Sequence, residues 1–120
     1  MTTATLVKSR ADIGRAIAEK ILQNKEELTR YWNQSAPVKH MYIDNLLSES
    51  DAQEIYTHFP AKDQLMKRNT IREKKQVGIE LEKYHASVSE TLMAFQEQCV
   101  VDAVAEITGI TGMTPDPTLY

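Results

Sequence analysis

The sequence predicts an α+β fold dominated by helices, and three observations predict it. Isoleucines recur at helical spacing near the start, a β-branched and aromatic run leads into a capped helix, and two apolar-striped segments run up to Gly109. In order, these imply an N-terminal helix, a strand–helix unit, an extended middle and two C-terminal helices. With 120 residues, the chain suffices for one domain with one sizeable core.

The first helix is expected from about Ala11 to about Asn33. Ser9, with Asp12 three positions later, is a capping-box variant, and the acid is also favoured by the positive end of the helix. Ile13, Ile17, Ile21, Leu28 and Tyr31 form one stripe, with Arg15, Glu19, Lys25 and Glu26 mostly opposite. Ser35-Ala36-Pro37 ends the helix, because the residue before a proline is pushed out of the helical region. Residues 1–36 therefore form an N-terminal amphipathic helix, and residues 37–120 a second unit.

That unit opens with a short strand over Val38–Ile43. Ser48 with Asp51 repeats the capping pattern, and Ala52, Ile55, Tyr56 and Phe59 mark the inward face of a helix closed by Pro60. The middle, 61–84, admits two readings: strands over Gln64–Asn69 and Gln76–Leu81 around a charged loop, or one long irregular segment. Gly78 weakens either. Two helices follow, over about Ser87–Gln96 with Val88, Leu92 and Phe95 inward, and about Gln98–Thr108 with Val101, Val104, Ala105 and Ile107 inward. Nothing between them is a strong breaker, so one continuous helix is the alternative. Gly109 suits the left-handed position that stops the second.

Composition, at 42% hydrophobic and 26% charged, is that of a soluble globular protein, and a net charge of −3 implies no global attraction to nucleic acid or anionic membrane. No stretch approaches the roughly 18 apolar residues of a membrane span. The single cysteine, Cys99, lies in an apolar run and reads as a small buried residue. The expected location is cytoplasmic.

A search for chemistry leaves no catalytic, metal-binding or cofactor-binding residue. A two-histidine, one-carboxylate iron site usually carries a His-x-Asp or His-x-Glu pair, whereas His40, His58 and His85 are followed by Met-Tyr, Phe-Pro and Ala-Ser. One cysteine and scattered histidines make no zinc pattern, and Cys99 on a helix face reads as packing rather than as a nucleophile. Gly14, Gly78, Gly109 and Gly112 are too dispersed to cradle a phosphate. One charge feature stands out: Lys67, Arg68, Arg72, Lys74 and Lys75, interrupted by Glu73. It reads either as a contact for phosphate or an acidic partner, or as a solvated loop facing Glu90, Glu97, Asp102 and Glu106. The second is preferred, because no aromatic residues interleave the cluster as a stacking platform for nucleic acid requires.

The succession "YIDNLLSESDAQEIYTHFP", basic "KRNTIREKK", "AFQEQCVVDAVAEITGI" and "PDPTLY" resembles the N-terminal part of prolyl-hydroxylase-like iron(II)/2-oxoglutarate-dependent oxygenases, from about Val38 to Tyr120. The resemblance implies that these helices support a double-stranded β-helix core, and that Met1–Pro37 is a variable N-terminal helix. It places the His-x-Asp ligand pair, the distal histidine and the 2-oxoglutarate-gripping basic residue further along than Tyr120, with "PDPTLY" leading into the missing core. Tyr120 is thus expected to be an interruption, and Fe(II) and 2-oxoglutarate belong only to a chain that carries the core. The expected partner is that core, or a protein that covers exposed helix faces. A stand-alone, helix-rich interaction module is the alternative, and binding of RNA or DNA through Lys67–Lys75 a weaker third reading.

Overall fold

The computed structural model describes residues 8–61, 63, 65–69, 74–77 and 83–116. Among them are five helices and one two-stranded hairpin, so the fold is helix-dominated. Helix α1 spans Arg10–Gln23, and the Ser9 hydroxyl accepts the Asp12 amide at 3.2 Å, the cap expected from the sequence. The helix does not run on to Asn33. It breaks at Asn24 (φ −107°, ψ 19°), whose side-chain amide donates to the Lys20 carbonyl at 2.8 Å and whose N–H reaches back to Ile21. Asparagine thereby satisfies carbonyls that the next turn would have used.

Helix α2, Lys25–Gln34, then sets off anew. Leu28 stays buried, but Tyr31 is 39% exposed rather than part of the stripe, because the break puts α2 out of phase with α1.

No strand forms over Val38–Ile43, although the alternation that suggested one is real. Met41 and Ile43 pack on the core, while Tyr42 and Val38 are 63% and 71% exposed. A period of two is satisfied here by a single pass of chain over a helical core, and no partner strand lies alongside among the described residues. Asn45 turns the chain at φ 58°, its carbonyl accepts from Lys20 Nζ, and Leu46 and Leu47 complete the cover.

Helix α3, Glu49–His58, has the expected cap, with the Ser48 hydroxyl accepting the Asp51 amide at 3.2 Å, and it stops before Pro60. Its face is not inward: α3 buries no residue, and of the four expected positions only Ile55 is half-buried. Among the described elements α3 packs chiefly on α4, and the core cluster is built from the other helices.

Strands β1 (Met66–Asn69) and β2 (Lys74–Val77) pair antiparallel, so the described part of the middle segment contains two short strands. The second begins two residues earlier than Gln76. Residues 78–81, including Gly78, lie outside the described residues, as does Arg72.

Helices α4 (Ala86–Ala94) and α5 (Gln98–Thr108) are separate, divided at Glu97, whose extended backbone (φ −66°, ψ 139°) caps the second. On α4, Val88 is buried, but Leu92 and Phe95 are 39% and 40% exposed; the inward face is Ser87, Val88, Thr91 and Ala94. On α5, Val100, Ala103 and Ile107 are buried, with Val101, Val104 and Ala105 half-buried. Both helices are therefore rotated from the expected stripe, α4 toward Ser87, Thr91 and Ala94 and α5 toward Val100 and Ala103. Cys99 is exposed rather than buried for the same reason, standing beside Val100 on the outer side. Gly109 ends α5 in the left-handed region at φ 73°, as expected.

The core joins Ile13, Ile17, Ala18 and Ile21 of α1 to Leu28, Ala94, Val100, Ala103 and Ile107. Gly14 is what lets α1 close on the α4–α5 corner: a Cβ there would lie 2.8 Å from Glu97 Cγ and 3.1 Å from the Ala94 carbonyl oxygen. Ion pairs at the rim tie α1 to α4 (Arg10–Glu90, 2.8 Å) and α2 to α5 (Lys25–Glu106, 2.7 Å). These pairs are substantially solvated, so they orient the helices more than they stabilise them.

Candidate functional site

The apolar stripes of α1 and α5 bury each other, so the residues left uncovered are informative. Leu22, Tyr31, Val38, Tyr42 and Ile110 are exposed singly or in the 38–42 segment, and four more lie on or beside α3 and α4. Tyr56 is 80% and Phe59 62% exposed, and Leu92 and Phe95 of the neighbouring helix are each about two-fifths exposed. Singly exposed apolar residues are ordinary, but a helix that buries nothing while carrying two large aromatic rings offers a surface for contact.

Histidines hold the base of this surface. The rings of His58 and His85 stack with centroids 3.5 Å apart and planes within 6°. His85 also caps α4: its Nδ1 accepts the Ser87 amide at 3.1 Å, with the Ser87 hydroxyl 2.7 Å away. Glu54, one turn back on α3, comes within 3.6 Å of His58 Nε2. The stack therefore clamps the end of α3 to the start of α4, and it positions Phe59 at the exit of α3.

The third histidine belongs to a separate aromatic group. His40 Nδ1 donates to the Val38 carbonyl at 2.8 Å, which leaves Nε2 to accept the Tyr31 hydroxyl at 3.2 Å. The Tyr31 ring meets His40 and Tyr42 edge-on, at centroid distances of 5.3 and 5.2 Å. These edge contacts explain why Tyr31 turns outward: its partners lie on the 38–42 segment.

These residues do not fit an iron centre. Imidazole binds a metal in the plane of its ring at about 2.0–2.1 Å, and two rings stacked face to face direct their lone pairs along parallel planes that never meet. His40 has both nitrogens engaged within its own aromatic group. Among the described residues, no group of three His, Cys, Asp or Glu side chains converges as a ligand set.

The basic cluster lies on the hairpin, with Lys67 and Arg68 on β1 and Lys74 and Lys75 on β2. Of the four acids it was expected to face, Glu90 pairs with Arg10, Glu106 with Lys25, and Asp102 accepts from Gln98 at 2.8 Å. Sequence reasoning missed the α3 surface and the histidine stack. The exposed face was legible as apolar but was assigned inward, and a stack between residues 27 apart leaves no local signal. Among the described residues, no helix is long and apolar enough to cross a membrane. No family model, curated protein or solved structure matches the chain.

Proposed function

We propose that this chain is the helical N-terminal portion of an iron(II)/2-oxoglutarate-dependent oxygenase, supporting the catalytic core and not catalytic alone. The observation that carries the reading is α3, which buries no residue and presents Tyr56 and Phe59 to solvent. A helix of this kind is stabilised when a further layer covers it. The order of segments from Val38 onward supports the same reading, since in the family it resembles these elements lie against the outside of a β-helix. No residue here is assigned to iron or 2-oxoglutarate; their chemistry, oxidative decarboxylation of the cosubstrate coupled to substrate hydroxylation, would belong to the core.

The test is to read the coding sequence beyond codon 120. An open frame continuing into a His-x-Asp strand and a later histidine is expected, and a stop codon at that point refutes the proposal. Purified alone, the 120-residue chain is expected to bind neither iron nor 2-oxoglutarate, so a clear cosubstrate-dependent signal would contradict the assignment.

The second reading, a stand-alone protein-interaction module, is favoured by the closed core around Ile17, which is 0% exposed. Cooperative thermal unfolding without binding of an apolar-surface dye would support the module, and loose, dye-binding behaviour the incomplete domain.

A further inference from the structure

We propose that the aromatic group formed by Tyr31 of α2 with His40 and Tyr42 is a binding site for a quaternary ammonium group. The three rings make one exposed cluster: Tyr42 is 63% and Tyr31 39% exposed, and His40 is exposed beside them. Tyr42 stands nearly perpendicular to Tyr31, at 85° with 5.2 Å between centroids, and His40 stands at 79° and 5.3 Å. Ring faces set at right angles form an open corner, and the face of an aromatic ring attracts a cation. Internal bonds hold that corner in place. The Tyr31 hydroxyl donates to His40 Nε2 at 3.2 Å, and His40 Nδ1 donates to the Val38 carbonyl at 2.8 Å. Met41 and Ile43, on either side of Tyr42, anchor the segment on the core. A site held in shape this way loses less freedom on binding.

The surroundings select a cation. Glu27 lies one helical turn before Tyr31, and Asp44 two residues after Tyr42. Both are exposed, and neither has an ion pair or hydrogen bond among the described residues. The nearest cations in sequence do not occupy the rings. Lys39 Nζ donates to the Trp32 and Asn33 carbonyls, at 3.2 and 3.0 Å, and Arg30 lines a cleft along α2 that none of the three rings borders. An anion would meet two carboxylates and the negative faces of the rings. The kind of cation follows from the hydrogen bonds. Tyr31 and His40 are engaged with each other and with Val38, so the corner offers few acceptors to replace the water that a primary ammonium would lose. A quaternary ammonium has no N–H to satisfy. Its rounded shape also touches two perpendicular faces at once, whereas a planar guanidinium stacks on one. The same head group occurs on choline-type small molecules and on trimethylated lysine side chains. The inference stands apart from the proposed support role, whose surface is α3.

The experiment is proton NMR of the full 120-residue chain titrated with choline, with the neutral isostere 3,3-dimethylbutan-1-ol, and with a trimethyllysine peptide beside its unmodified form. So open a site predicts a Kd of about 1–10 mM for choline, and the ring faces should shift its methyl signal upfield. Tyr42→Ala removes a ring that is largely exposed and should weaken binding about two- to fivefold, whereas Tyr42→Phe should bind as the parent does. Joint Glu27→Gln and Asp44→Asn replacement should weaken binding more at low salt than at high salt. Circular dichroism checks that the variants remain folded. Tighter binding of the trimethyllysine peptide than of choline would assign the group to a modified protein, and equal or weaker binding to a small molecule. No saturable shift, an equal response to the neutral isostere, a peptide response independent of methylation, or binding unchanged in Tyr42→Ala would each overturn the inference.

Discussion

Gly14→Ala should destabilise the protein, although it replaces a poor helix former with the best one. In an open helix interior the exchange gains about 1 kcal/mol. Here the added methyl would sit 2.8 and 2.9 Å from Glu97 Cγ and Cβ and 3.1 Å from the Ala94 carbonyl oxygen. The Glu97 side chain can swing only its far end, and the carbonyl belongs to the last turn of α4. Overpacking of this kind costs about 1–3 kcal/mol, and contact with backbone puts Gly14 toward the upper part of that range. The net loss is then about 1–2 kcal/mol, or a melting temperature lower by about 4–8 °C at this chain length. The assay is thermal unfolding followed by circular dichroism at 222 nm, with Glu97→Gly and the double variant completing a cycle. Glu97 makes no side-chain capping bond, so its own replacement should cost little. Removing its side chain should recover at least about 0.5 kcal/mol of the Gly14→Ala loss as a coupling term. If Gly14→Ala melts at or above the parent, α1 does not approach the α4–α5 corner as closely as described, and the reasoning fails.

Ile17→Ala truncates the largest fully buried side chain among the described residues, at 0% exposure, and should cost about 2–5 kcal/mol, seen as a lower urea midpoint. Gly109→Ala meets no atom within 4 Å, so its cost is backbone strain alone at φ 73°, about 1–2 kcal/mol, and Gly109→Asn should lose less by the same denaturation assay. Replacing Tyr56 and Phe59 together by Ser should change stability by no more than about 1 kcal/mol while reducing binding of an apolar-surface dye; a large drop in melting temperature would mean that α3 buries these rings after all.

Much of the local structure was legible because its cause is local. Ser9 and Ser48 marked helix starts through bonds that span only three residues, Pro60 and Gly109 marked helix ends through their own backbone limits, and Ile13, Ile17 and Ile21 share a face in any helix that contains them. The candidate site was less legible. Tyr56 and Phe59 were recognised as one apolar stripe, but whether a stripe is covered depends on what else has filled the core.

The sequence by itself therefore determined that the chain is helix-rich, where most helices begin and end, and that α1 must bury an isoleucine stripe. The tertiary structure decided which way the other elements face. Asn24 broke the first helix, with its bonds to the preceding turn in place of a longer run to Asn33. On α4, Ser87, Thr91 and Ala94 went inward past Leu92 and Phe95, where Gly14 lets α1 approach closely. The alternation of residues 38–43 became a cover over helices and not a strand, since pairing needs a neighbour that only the assembled chain could supply or withhold. Spacing along the chain fixes which residues share a face; the partner that the face meets is settled by packing between segments far apart in sequence.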